Sequence, residues 1–161
     1  MRYSQLTESM SFNAGHLEKR PDGNVWTGDV DSGDRYHPDV YKADYPYDAE
    51  PKANPNYKPE LDLTLSNANM RDVFAELGYP TDLEEQSPFP IDEFIAKTTQ
   101  WLQKHIDKRS KEEPTTVDKN PNGPTMIRGG KPEGYYNQAI MQMNSIARTG
   151  KQRGATHVWA S

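Results

Sequence analysis

Apolar and polar residues alternate from Leu61 to Leu65, which predicts a strand with one buried face. Side chains that can cap a helix follow within residues 66–69, and the next apolar residues recur at helical spacing. Gly78 and Pro80 end this pattern. The sequence therefore predicts a strand that leads directly into a short helix, whose apolar positions are Met70, Val73, Phe74 and Leu77.

Two longer apolar stripes predict two more helices. The first begins near Ile91, carries acidic residues in its first turn and keeps its stripe as far as Ile106. The second begins at Pro132, a residue type that suits the first helical position, and ends near Gly150.

Residues 80–88 and 110–131 are rich in proline, glycine and polar residues, and we expect both to be loops. The final apolar run, residues 155–160, predicts a strand that pairs with residues 61–65. We therefore predict an α+β fold for residues 60–161, with three helices packed on a small sheet.

The first third of the chain has fewer apolar side chains. Large apolar residues number 9 in residues 1–60 and 24 in residues 61–161. Pro21–Asn24 predicts the turn of a hairpin, whereas residues 36–59 interleave tyrosine with proline and exclude a helix or a central strand. We predict that residues 1–59 form an extended, turn-rich arm that takes its shape from contact with another surface.

The charge is unevenly distributed along the chain. Residues 1–65 carry 7 Lys/Arg and 12 Asp/Glu, residues 66–113 carry 6 and 10, and residues 114–161 carry 6 and 2. The last segment is therefore basic within a chain of net charge −5, and it can contact an acidic surface of its own or of another copy. The overall acidity argues against nucleic acid as a partner.

The composition excludes several classes of protein. The chain has no cysteine, so disulfide frameworks, thiol catalysis and cysteine-based zinc sites are excluded. No run approaches the 18 or so apolar residues of a membrane span, and the N-terminus does not resemble a signal peptide. We expect a soluble cytoplasmic protein, located in the host cytoplasm or the virion if it is encoded by a phage.

The sequence offers no clear catalytic or metal site. Residues 29–34 resemble the start of a calcium loop, but Gly33 and Val40 occupy positions that need ligands, so an acidic turn is favoured. The four histidines lack metal-binding spacing, and no nucleophile motif is present. We assign no catalytic residue, metal or cofactor, and a non-enzymatic protein is favoured over an enzyme.

The preferred function is protein binding or self-association through the arm. Aromatic side chains give a large contact area with little rotamer entropy to lose. The expected partner-binding residues are Trp26, Tyr36, Tyr41, Tyr45, Tyr47 and Tyr57.

An alternative function is binding of a small anion or nucleotide by the basic C-terminal segment. A glycine-rich stretch, residues 128–134, runs into the predicted N-terminus of the last helix, where free backbone N–H groups favour anions. The expected anion-binding residues are Arg128, Lys131, Arg148 and Arg153.

Three short motifs resemble those of small uncharacterised bacterial and phage proteins. They are Leu-Thr-Leu-Ser-Asn-Ala-Asn at residues 63–69, Pro-Glu-Gly-Tyr at residues 132–135, and Val-Trp-Ala at residues 158–160. The resemblance covers about 100 residues and implies a strand, an Asn-Ala-Asn turn and a helix, followed by a C-terminal helix and strand. It implies a fold without an assigned activity, and a phage accessory or assembly component is the expectation that follows.

Overall fold

Strand β1, Ser9–Arg20, is the best-connected strand of a five-stranded antiparallel sheet in this computed structural model, which describes residues 8–118, 126–128 and 130–161. It pairs with three other strands, and a short two-stranded ladder lies apart from this sheet. The other strands are β2 (Gly23–Gly28), β3 (Thr64–Ser66), β4 (Phe89–Pro90), β5 (Thr116–Asp118), β6 (Met126–Arg128) and β7 (His157–Ala160).

Four helices lie in the described part of the chain, which confirms the α+β class. They are α1 (Asn67–Glu76), α2 (Leu83–Gln86), α3 (Ile91–Lys104) and α4 (Tyr135–Gln152). Three of them match the predicted helices, but α2 lies where only a loop was expected. Its one buried side chain, Leu83, is 1% exposed and anchors this short turn in the core.

The predicted transition from strand to helix is confirmed at Ser66. β3 ends there, and the Ser66 hydroxyl accepts a hydrogen bond from the Asn69 backbone N–H at 3.2 Å, which caps α1. Gly78, with φ of +90°, follows the end of the helix as predicted. Leu61 lies outside the strand, in a 3-10 turn that spans Pro59–Leu61.

β1 carries the core side chains that the first third contributes. Met10, Phe12 and Ala14 alternate along it and are buried, and the Phe12 ring stacks on Phe94 of α3 with centroids 5.2 Å apart. Their period of two is that of a strand with one face on the core.

The pairing of the last strand differs from the prediction. β7 pairs with β1 and β4 rather than with residues 61–65, because β1 occupies the position between β7 and β3. The same long strand accepts β3 along residues 9–11 and β7 along residues 12–15. The boundary predicted at residue 60 therefore lies between segments that share one sheet.

The predicted hairpin is present. Arg20 pairs with Gly23 across the turn, and β2 continues antiparallel to β1 as far as Gly28. Gly23 adopts φ of +134°, a conformation that residues with a side chain rarely adopt. Within the described ranges, none of the helices is long and apolar enough to cross a membrane.

Candidate functional site

The tyrosine-rich and proline-rich segment folds back on itself rather than running straight. The Lys58 backbone N–H donates to the Ser32 carbonyl at 2.8 Å, and the His37 N–H donates to the Lys52 carbonyl at 2.9 Å. These bonds bring the two ends of the segment together. We call residues 32–58 the tyrosine loop.

The tip of the tyrosine loop, residues 44–50, is held by one of its own side chains. The Tyr45 hydroxyl donates to the Glu50 carbonyl at 2.9 Å and accepts from the Lys52 N–H at 3.1 Å. Tyr45 therefore fixes the loop from within, and its hydroxyl is already used.

The base of the tyrosine loop is attached to α4. The Tyr57 hydroxyl donates to the Asp62 carboxylate, which also forms an ion pair with Arg35 at 3.5 Å. The Gln142 side chain of α4 donates to the Asp62 carbonyl at 2.9 Å. The hydrogen bond to Asp62, followed by burial, raises the pKa of Tyr57 above its ordinary value.

The remaining tyrosines of the loop face solvent. No residue from 31 to 60 is buried, and Tyr36, Tyr41 and Tyr47 are 37%, 64% and 104% exposed. An aromatic ring left in water forgoes the stabilisation that burial would give it. The loop thus displays apolar surface that the fold does not use.

The tip is also strongly acidic. Asp44, Asp48 and Glu50 lie within residues 44–50, which contain no lysine or arginine. None of the three forms an ion pair with a residue that the structure describes. Lys42 and Lys52 line a depression beside Asp44, at the two ends of the tip. The tip therefore combines a fully exposed ring with three carboxylates that form no ion pair with a described residue.

Trp26, the sixth predicted partner-binding residue, lies on the sheet and not in the loop. Its ring packs against His157 at 4.9 Å and Trp159 at 5.7 Å, measured between centroids. It borders a separate depression of about 500 Å³ at the edge of the sheet. The structure therefore gives Trp26 a packing role, with 37% of the residue left exposed.

The structure does not gather the predicted anion-binding residues into one site. Lys131 is 5% exposed, and its Nζ lies 2.8 Å from an Asp72 oxygen and 3.0 Å from a Glu113 oxygen. Burial alone would lower the pKa of Lys131, but the hydrogen bonds to the two carboxylates outweigh it and the pKa is raised. This ammonium group is already balanced by negative charge.

Arg148 and Arg153 lie at the other end of α4 from Lys131. At about 1.5 Å per helical residue, Tyr135 and Arg148 are separated by about 20 Å along the axis. The side chain of Arg128 lies outside the described residues. The structure thus separates Lys131 from Arg148 and Arg153, the other predicted anion-binding residues whose side chains it describes.

A groove of about 550 Å³ lies between α3 and α4, and we call it the helical groove. Its apolar part is formed by Leu102, Ile106 and Met141. Ile106 is 82% exposed and Met141 is 59% exposed, so this apolar surface is open to solvent. Its other lining residues are Thr99, Gln103, His105, Arg109, Glu133, Gly134, Asn137, Gln138, Asn144 and Arg148.

The polar side chains of the groove are held in place by one another. The Asn144 amide donates to Thr98 at 2.8 Å and to Thr99 at 3.2 Å, and its oxygen accepts from Arg148 at 2.9 Å. The Arg148 guanidinium also donates to Thr99 at 3.1 Å. These bonds to neutral groups fix the position of Arg148.

The opposite end of the groove carries Arg109. Its aliphatic stem lies beside Gly134, about 3.7 Å from where a Cβ would stand, which is an ordinary van der Waals distance. Neither Arg109 nor Arg148 has a carboxylate partner among residues 8–118, 126–128 and 130–161. The groove is therefore an apolar strip with an unpaired cation towards each end.

No protein-family model matches this chain, and neither a curated protein nor a solved structure shows significant similarity to it. In the part of the chain that the structure describes, no group of three or more His, Asp or Glu side chains is placed to hold a metal ion. The two surfaces must be interpreted from their own chemistry.

Sequence reasoning placed Ile106 in the buried stripe of α3, which was wrong. The helix ends at Lys104, and beyond that point the helical spacing no longer predicts which face a residue occupies. Met141 gave a usable signal, because it is a large apolar residue outside the stripe of α4. A single exposed apolar side chain is ordinary, but Met141 adjoins Ile106 and Leu102 in one groove, and contiguous exposed apolar surface is typical of interaction sites.

Proposed function

We propose that this chain is a non-enzymatic interaction protein that docks on a protein partner through its tyrosine loop. The observation that supports this most directly is the full exposure of the Tyr47 ring on a loop tip that internal hydrogen bonds hold in shape. A preordered aromatic surface loses little conformational entropy when it binds. The phage accessory or assembly role is an expectation from the resemblance.

The loop also lacks a structural reason for its aromatic content. Tyr45 and Tyr57 use their hydroxyls to shape it, but Tyr41 and Tyr47 make no hydrogen bond within the described ranges. Tyrosine is a residue type enriched at protein interfaces, where a ring is buried and a hydroxyl stays near water. Docking accounts for these two side chains, whereas the stability of the single chain does not.

Site-specific photocrosslinking tests the proposal. A photoreactive phenylalanine analogue would replace Tyr47 in the full chain, and the same analogue at Leu17 would serve as the control, because Leu17 is an exposed apolar residue outside the loop. We expect a discrete crosslinked protein species from position 47 and none from position 17. Equal or absent crosslinking at the two positions would refute docking through the loop.

A competition arm makes the result specific. Unlabelled wild-type chain should suppress the crosslink at position 47, and the Tyr41→Ala/Tyr47→Ala chain should suppress it about tenfold less well, because both exposed rings are missing. Circular dichroism would show that the competitor is folded. Equal competition by the two chains would contradict the role of the rings.

A further inference from the structure

We infer that the surface that receives the tyrosine loop is the helical groove of a second copy of this chain. The acidic tip of one copy, residues 44–50, docks between α3 and α4 of the next. This inference rests on the proposed function and names its partner. It is supported by the apolar surface, the charge and the exposure of the two elements.

The two surfaces complement each other in apolar area. The tip offers the Tyr47 ring, which is fully exposed, beside Pro46, which is also exposed. The groove offers Ile106 and Met141, which are likewise exposed, in the lining of a concave surface. An aromatic ring that fills an apolar groove is the usual anchor of a protein interface.

The two surfaces also complement each other in charge. Among the residues that the structure describes, the three carboxylates of the tip have no ion-pair partner, and the two guanidinium groups of the groove, those of Arg109 and Arg148, have no carboxylate partner. Arginine forms bidentate contacts with carboxylates, so the pairing gives orientation as well as attraction. Among the described residues that line the groove, Glu133 alone is acidic, and it does not reverse the sign of the groove.

A single chain does not satisfy both surfaces at once. Tyr47 is fully exposed while the groove of the same chain is open, and the base of the loop is fixed to Gln142 of α4. The tip and the groove therefore remain available to other copies. Because the contact joins two different surfaces, copies add head to tail, and they form a ring or a filament unless two copies exchange tips.

Sedimentation velocity on the full chain tests the inference with two variants. Tyr47→Ala removes the anchor from the tip, and Met141→Asp places a carboxylate in the apolar lining of the groove. Both positions are exposed, so both chains should fold, as circular dichroism would show. Leu17→Ala, an exposed apolar position on β1, is the matched control.

We expect the wild type and Leu17→Ala to associate, more weakly as salt is raised, and each variant to weaken association about tenfold or more. An equimolar mixture of the two variants should associate again. In that mixture the intact groove of the Tyr47→Ala chain meets the intact tip of the Met141→Asp chain. Restoration by mixing is the result that a loop-to-groove contact requires.

Three other outcomes would overturn the inference. A wild type that stays monomeric at low salt removes the second copy as partner, and the crosslinking at position 47 then decides the proposed function alone. Loss of association in Tyr47→Ala but not in Met141→Asp means that the loop docks elsewhere, and the proposed function survives. Loss in Met141→Asp but not in Tyr47→Ala means that the grooves pair without the loop, so the inference fails and the crosslinking at position 47 again decides the proposed function.

Discussion

Strand β1 and the tyrosine loop are separated by fewer than twenty residues, yet the fold uses them in opposite ways. β1 places Met10, Phe12 and Ala14 in the core, whereas the loop has no buried residue. Both belong to the third of the chain that is poor in large apolar side chains. Apolar content therefore does not distinguish the two segments.

Backbone pairing distinguishes them. β1 shares hydrogen bonds with β2, β3 and β7, so its few apolar side chains are held over the helices by the rest of the sheet. The hydrogen bonds of the loop are mainly within the loop itself. Its base is joined to the rest of the fold at Asp62, which accepts hydrogen bonds from Tyr57 of the loop and from Gln142 of α4. A segment enters the core when its neighbours fix its backbone, even if it contributes only three buried side chains.

The largest expected effect is in β1. Phe12→Ala should lower the free energy of unfolding by about 3–5 kcal/mol, because it removes a buried ring that packs on Phe74 and Phe94. Leu17→Ala on the same strand should change it by no more than about 0.5 kcal/mol, because Leu17 is 41% exposed. Urea denaturation measures both, and equal losses would show that β1 is not a core strand.

The contact of β1 with α4 comes next. A Cβ on Gly150 would lie 2.6 Å from the Ala14 Cβ, so Gly150→Ala forces helix and strand apart. Such overpacking costs about 1–3 kcal/mol, and the higher helix propensity of alanine returns up to about 1 kcal/mol. Adding Ala14→Gly should recover part of the net loss in a double-mutant cycle, and additive losses would mean that the two residues are not in contact.

The tyrosine loop should matter much less to stability. Replacing residues 37–52 with a short Gly/Ser link keeps Tyr36 and Ala53, which pair across the loop. We expect the free energy of unfolding to change by no more than about 1 kcal/mol, because no buried side chain is lost and closure entropy varies slowly with length. A loss as large as that of Phe12→Ala would remove the contrast with β1.

Deleting residues 1–58 should instead abolish folding, because β1 is deleted too.

The smallest expected effect is the change in stability at high pH that comes from the Tyr57 hydrogen bond at the base of the loop. The Asp62 carboxylate raises the pKa of Tyr57, whereas burial raises the pKa of Tyr79 in the core. A pKa raised on folding means that the Tyr57 hydrogen bond stabilises the fold below pH about 10 and is lost as the pH rises through the folded-state pKa.

The pKa values of Tyr57 and Tyr79 are raised by different causes, so a substitution at Asp62 distinguishes them. Asp62→Asn should lower the pKa of Tyr57 and leave that of Tyr79 unchanged. Tyrosinate absorbance, compared between each chain and its Tyr57→Phe or Tyr79→Phe derivative, isolates the two groups. A parallel shift of both would show that Asp62 acts through the whole fold and not through one hydrogen bond.

Several elements could be predicted because their signals are local. The cap at Ser66, the helix end at Gly78 and the stripe of α3 depend on residues within a few positions of one another. The turn at Pro21–Asn24 is of the same kind. Each was confirmed with bounds close to those expected.

β1 itself was missed for a physical reason. Its alternation covers only Met10 to Ala14, and beyond Gly15 the strand pairs with β2 without burying large side chains. Its role comes from partners at residues 64–66 and 157–160, which are distant in sequence. The expected pairing of β7 with residues 61–65 failed because this strand was absent from the prediction.

The candidate site also has a part that the sequence predicts and a part that depends on contacts between distant residues. The interleaved tyrosines and prolines of residues 36–59 are evident in the sequence, and Tyr41 and Tyr47 were among the six residues predicted from it to bind a partner. The helical groove was not foreseen, because Ile106 and Met141 are 35 residues apart in sequence and meet only when α3 packs on α4. Lys131 was assigned to anions because the sequence does not show that Asp72 and Glu113 surround it.

The amino-acid sequence by itself determined the local elements, the asymmetric charge and the acidic tyrosine-bearing tip, because these depend on neighbouring residues. Only the tertiary structure decided that residues 9–20 form the best-connected strand, that Lys131 is neutralised, and that Arg109 and Arg148 flank an apolar groove. The physical reason is that burial and charge compensation are set by distances between residues far apart in the chain, and those distances exist only after folding.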